Sequence, residues 1–185
     1  LKEYEADTNA NFSVILDISR SMSFASRGIS KLDYGKYLCA CLAYFAQKQR
    51  DRIGCVTFDN DIVTHIPPSA KHLDRVLHTL DRVKAERKGD LTVPMQKMAE
   101  HFGRRGILVI VSDLYENPET VMEAVKPLRF RGNDLVTLVL AAPVLGRGPA
   151  GAWDAVDTLN PSIVVRQGTY YNFYSGFDGK TWHTG

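Results

Sequence analysis

The chain has 185 residues, 44% hydrophobic and 24% charged, with 23 Lys and Arg against 21 Asp and Glu. That length and composition fit a globular protein of about one domain with a full core. A net charge of +2 gives no electrostatic reason to expect nucleic acid or an anionic membrane as a partner, and no uncharged apolar run approaches the ~18 residues that a membrane-spanning helix needs.

Residues 1–5 show partial alternation and read as a short strand, with a turn over 7–11. The chain opens on Leu1 without an initiator Met or a signal-peptide pattern, and it reads as a fragment. Residues 12–17 form a nearly continuous apolar run, as expected of a strand buried in a parallel sheet. The run ends on Asp17, Ser19 and Ser21, spaced two apart, which extended chain would place on one side. A carboxylate and two hydroxyls are hard oxygen donors suited to Mg²⁺, Mn²⁺ or Ca²⁺; the competing reading is a Ser-rich turn that caps a helix. Residues 21–30 read as a loop.

From Leu32 the period becomes helical, with Tyr34, Leu38, Cys41, Leu42 and Phe45 as the expected inward stripe. Cys39, Cys41 and Cys55 lack metal-ligand spacing and are expected as buried free thiols in a reducing, cytoplasmic compartment. Residues 52–58 and 62–66 predict a strand hairpin stopped by Pro67 and Pro68. Ser69 is the expected cap of a helix with Leu73, Val76, Leu77, Leu80 and Val83 inward. A charged loop over 85–90 follows, then a helix from Leu91 with Met95, Met98 and Phe102 on its buried face. Pro94 falls in its first turn, where a missing N–H costs nothing. Residues 107–112 are again a fully apolar strand, ending at Asp113. Asn117 and Pro118 start a helix with Val121, Val125 and Leu128 inward, closing at Gly132, and residues 135–140 read as the last buried strand.

Apolar strands alternating with helices predict a doubly wound, mostly parallel α/β sheet with helices on both faces. Ligands of such sheets bind at the carboxyl ends of strands, and Asp17 and Asp113 each end one. At these residues the sequence resembles a von Willebrand factor A-type domain, whose D-x-S-x-S motif matches Asp17, Ser19 and Ser21 and whose later strand-ending Asp matches Asp113. Six stretches narrow the likeness: Leu1-Lys-Glu-Tyr-Glu5, Ser30-Lys-Leu-Asp-Tyr-Gly-Lys-Tyr-Leu38, Gly54-Cys-Val-Thr-Phe-Asp59, Ile66-Pro-Pro68, Arg104-Arg-Gly-Ile-Leu108 and Ser112-Asp-Leu-Tyr-Glu-Asn-Pro118. They resemble the bacterial A-domain proteins encoded beside MoxR-type AAA+ ATPases, over residues 1–141. The resemblance implies a metal-ion-dependent adhesion site and a non-enzymatic role in complex assembly or maturation. The implied partner is such an ATPase or its client, bridged by Mg²⁺ (Mn²⁺ or Ca²⁺ being the other candidates). One position departs from the pattern: Gly89 stands where the family carries a ligand Thr, and Thr92 could substitute only if the loop is remodelled.

Residues 142–185 change in character, with three acids, three bases, many Gly and aromatics, and no helical period. Strand, turn, aromatic strand, an Asp178-Gly179 turn and Trp182 predict a β-meander. The segment, with Trp153 and Asp154 at its start, resembles the first blade of five-bladed β-propeller glycoside hydrolases. That likeness implies as an alternative a truncated carbohydrate-active protein. Asn160 precedes Pro161 where those enzymes carry a catalytic Asp, and an amide cannot act as a base. One blade cannot close a propeller, so the tail reads as a truncated fusion or as a junction of two reading frames. Gly179-Lys-Thr181 lacks the first Gly of a phosphate loop, the five His form no catalytic or metal pattern, and no nucleophile elbow surrounds Ser19 or Ser21.

Overall fold

A computed structural model describes residues 9–26, 28–102, 106–140, 157–166, 169–177 and 180–184. The expected strand at 1–5, Arg104, Trp153, Asp154 and the Asp178-Gly179 turn lie outside them. The chain divides into two compact units, residues 1–142 and 143–185.

The first unit is built on β1 (Asn11–Asp17), the middle strand of a five-stranded sheet. After β1 come the two-residue strands β2 (Ala25–Ser26) and β3 (Ile29–Ser30), which pair with each other, and α1 (Lys31–Lys48). β4 (Arg52–Phe58), β5 (Ile62–Ser69), α2 (Leu73–Arg82), α3 (Thr92–His101), β6 (Gly106–Ser112), α4 (Pro118–Phe130) and β7 (Asp134–Val139) complete it. The sheet order is β5-β4-β1-β6-β7, parallel except for the β4–β5 hairpin. This is a doubly wound α/β fold.

Side-chain alternation along β1 divides the core in two. Val14 and Leu16 join the cluster under α1 and α2, while Ile15 joins the cluster under α3 and α4. The expected inward residues of α3, Leu91, Met95, Met98 and Phe102, are all buried. In α4, Asn117 accepts a hydrogen bond from the Glu119 N–H at 3.0 Å, Pro118 takes the first position, and Gly132 ends the helix region at φ +79°.

Several expectations fail, mostly for a packing or edge reason; Leu77 of α2, expected inward, is 36% exposed. α1 buries Leu32, Gly35, Cys39, Ala43 and Ala46; of the expected stripe Leu38 and Leu42 are half-buried against the core, while Tyr34 and Phe45 are 55% and 64% exposed. A β-carbon on Gly35 would lie 2.9 Å from Leu16 Cδ1; at that point the helix sits so close to the sheet that no side chain fits beneath it. Cys41, on the outer side with Tyr34 and Phe45, is therefore exposed, whereas Cys39 and Cys55 are buried; burial pushes the Cys55 thiol up to about 12. β5 runs through Pro67 and Pro68 to Ser69, which pairs with Ile53, because an edge strand has an unpaired side that tolerates missing donors. Ser69 therefore ends the strand instead of capping α2, whose cap position is His72. β7 is the opposite edge and half-exposed, with Val136 at 45% and Val139 at 54%.

The second unit contains β8 (Asp157–Arg166), β9 (Thr169–Phe177) and β10 (Trp182–Thr184), antiparallel in the order β10-β9-β8. Register slips between Leu159 and Ser162, across Pro161, which has no N–H to give the ladder.

Candidate functional site

The chain leaves β1 toward β4 on one side and returns to β6 on the other. The crevice beyond the carboxyl ends of β1 and β6 is thus the topological switch point, where ligands of such sheets bind. Asp17 closes β1, and Asp113 follows the last residue of β6. A cavity of about 280 Å³ opens there, and Asp17, Ser19, Ser21 and Asp113 all line it.

The serines reach it by a route other than extended chain. Ser19 is extended (φ −67°, ψ 162°), but Arg20–Ser23 then form a 3₁₀ turn anchored by the fully buried Met22. The turn brings the Ser19 and Ser21 hydroxyls to 3.0 Å. Ser21 Oγ donates to Asp113 Oδ1 at 3.0 Å. With its one proton committed there, Ser21 accepts from Ser19.

Asp17 is held more deeply. Its Oδ1 accepts the Ser19 N–H at 2.7 Å and its Oδ2 accepts the Ser112 hydroxyl at 2.6 Å. Burial pushes its carboxyl above the usual range; the bonds from Ser112 and Ser19 pull the other way, and the Asp113 charge adds to the rise. The second oxygen of Asp113 forms an ion pair with Lys31 Nζ at 2.8 Å, the two side chains being 2% and 14% exposed.

The loop before α3 forms the opposite wall. Arg20 N–H donates to Arg87 O at 2.6 Å, and Asp90 N–H donates to Asp59 O at 3.1 Å. These bonds draw Gly89 against Ser19, so that a β-carbon at 89 would lie 2.6 Å from Ser19 Cβ. A Thr does not fit there without moving the loop. Thr92 gives no replacement: it begins α3, its N–H is bound to Asp90 Oδ1 at 2.7 Å, and it is not part of the cavity wall. Glu116, also on the wall, accepts the Leu91 N–H at 3.3 Å and fixes the start of α3.

The four expected residues are therefore brought together, with Gly89 against Ser19 as the position without a hydroxyl. Lys31 and Ser112 complete the network and were not picked out by spacing. The available signal for Lys31 was its place at the first position of a helix, where the backbone dipole disfavours a cation. Among the described residues no cluster of three or more His, Cys, Asp or Glu is gathered for a metal, so any cation here would rely on hydroxyls. The Ser19–Ser21 and Ser21–Asp113 separations of 3.0 Å are hydrogen bonds that tie these hard oxygen donors together on one wall of the cavity.

A family model described as "Protein of unknown function DUF58" matches residues 1–144. No curated protein matches the chain. Among solved structures, an aerotolerance-related membrane protein from Bacteroides fragilis NCTC 9343 is similar at 19% identity and a TM-score of 0.62, covering 88% of this chain and 80% of that one. The conserved hypothetical protein BatB from Bacteroides thetaiotaomicron is similar at 19% identity and a TM-score of 0.58, covering 70% of this chain and 66%, just under two thirds, of that one. These likenesses agree with the α/β fold described above. The family match ends at residue 144 and carries nothing for the likeness of the tail to a propeller blade. No helix among the described residues is long and apolar enough to cross a membrane.

Proposed function

The chain belongs to the DUF58 family, and from that premise we propose that it is a non-enzymatic protein-interaction module. It would engage its partner through a divalent cation, Mg²⁺ first, held by Ser19, Ser21 and Asp113 and steadied by Asp17. The observation that carries this reading is the gathering of two acidic strand ends and two hydroxyls, all hard oxygen donors, in an open crevice at the switch point. A bound Mg²⁺ keeps open positions that water fills, and a carboxylate of a partner can replace such a water. Likeness to A-type domains encoded beside MoxR-type AAA+ ATPases makes such an ATPase, or a client it remodels, the partner to test first. Tyr115, 86% exposed on the cavity wall, is suited to anchor a docked chain.

The test is calorimetric titration of the whole chain with Mg²⁺ and Mn²⁺, beside the variants Ser21→Ala and Asp113→Ala. Binding between micromolar and millimolar, weakened at least about tenfold in both variants, is the expected result. Absence of binding up to millimolar metal overturns the reading. A second reading, partner binding without metal, is favoured by Gly89 pressed against Ser19 and by the Lys31 ammonium already on Asp113. Under it, chelation with EDTA leaves capture of the ATPase unchanged.

A further inference from the structure

Lys31 opens α1, where the exposed N–H groups of the first turn make a positive charge unwelcome. The helix nevertheless begins on it, and its side chain turns inward. The β2–β3 ladder pairs Ala25 with Ser30 and Ser26 with Ile29, and Lys31 N–H then donates to Phe24 O at 2.9 Å. That link sets the side chain between two different cation-binding groups. On the inner side Nζ lies 2.8 Å from Asp113 Oδ2; on the outer side it is 5.7 Å from the centre of the Phe24 ring, whose residue is 52% exposed. A carboxylate that is 98% shielded needs a compensating charge, and Lys31 supplies it.

The same carboxylate is the acidic end of the proposed donor set, since its Oδ1 accepts from Ser21. An ammonium on Oδ2 and a divalent cation on Oδ1 would stand a few ångströms apart, in partly dry surroundings where like charges repel strongly. Both cannot be held at full strength.

We propose that Lys31 is the built-in cation of this site. In the metal-free protein its ammonium neutralises Asp113 and keeps the crevice ordered. A divalent cation enters by displacing it, and the ammonium swings outward over the Phe24 ring, a cation–π resting place it already borders. The exchange leaves the coordination of the metal to Ser19, Ser21 and Asp113, and it weakens metal binding by the cost of breaking the Lys31–Asp113 pair. This inference rests on the metal reading above and concerns how that site is regulated.

The test compares the whole chain with Lys31→Met, which keeps the apolar stem and removes the charge. Titration with Mn²⁺ is expected to show binding at least about tenfold tighter in the variant. Equal or weaker binding by the variant overturns the inference and leaves the metal reading standing. Absence of binding by both proteins overturns both. Because Lys31→Met leaves Asp113 unpaired and can compromise folding, a second measurement uses the wild type alone. Lysines are acetylated with an amine-reactive ester, with and without Mn²⁺, and the rate at Lys31 is read by peptide mass spectrometry against exposed Lys71. A several-fold rise at Lys31 with metal supports displacement; an unchanged rate overturns it.

Discussion

At the scale of single residues, the most consequential one lacks a side chain. Gly89 lets the loop before α3 close on Ser19, with no room for a β-carbon at 2.6 Å. Gly89→Thr, which adds a hydroxyl at this position, therefore has to push the loop away, and the contacts of Arg20 with Arg87 and of Asp90 with Asp59 go with it. The expected cost is about 1–3 kcal/mol, measured as a lower midpoint in urea unfolding; an unchanged midpoint would show the loop free to swing out. The residues of the site differ in how far sequence could reveal them. Asp17 and Asp113 were legible because each ends an apolar strand run. Ser19 and Ser21 were legible by spacing, although extended chain was the wrong reason, and the 3₁₀ turn through buried Met22 is what joins them. Lys31 was not, since its partner lies 82 positions away and only the completed fold sets them side by side.

At the scale of elements, strand and helix order followed from apolar periodicity, while the facing of elements did not. The α1 stripe shifted, keeping Leu38 and Leu42 against the core but turning Tyr34, Cys41 and Phe45 outward, because the close approach of Gly35 to Leu16 favours small side chains at the centre of the face; sequence alone carries no such distance. The β5–α3 contact carries a testable consequence. His65 of β5 lies edge-on to His101 and Phe102, with ring centres 5.6 Å and 5.9 Å away. Burial, and then the charge of His101, hold His65 below its ordinary value of 6.5. The unfolded chain therefore takes up the proton first as pH falls. The stability from this contact is whole above 6.5 and is lost as pH drops below that value toward the folded one. Urea unfolding at about pH 7.5 and about pH 5.5 is expected to show a smaller loss in His65→Phe than in the wild type. Equal losses would assign the effect to other groups.

At the scale of the whole molecule, a ligand that binds the crevice binds only the folded state, because its donors come from β1, the turn after it and the end of β6. Metal at ten times its dissociation constant is expected to add about 1.4 kcal/mol of stability. The check is a thermal midpoint that rises with Mg²⁺ in the wild type and stays fixed in Asp113→Ala. The same arrangement has a meaning in time. β1 is made early, yet its neighbour β6 and the hydroxyl of Ser112 that holds Asp17 come 95 positions later, which is about 5 to 20 seconds of ribosome travel. Through that interval the strand has an open edge and Asp17 lacks the Ser112 bond. The crevice therefore closes only once β6 has joined β1: a nascent chain that stops short of Asp113 lacks both the Ser112 hydroxyl on Asp17 and the carboxylate that Ser21 bonds.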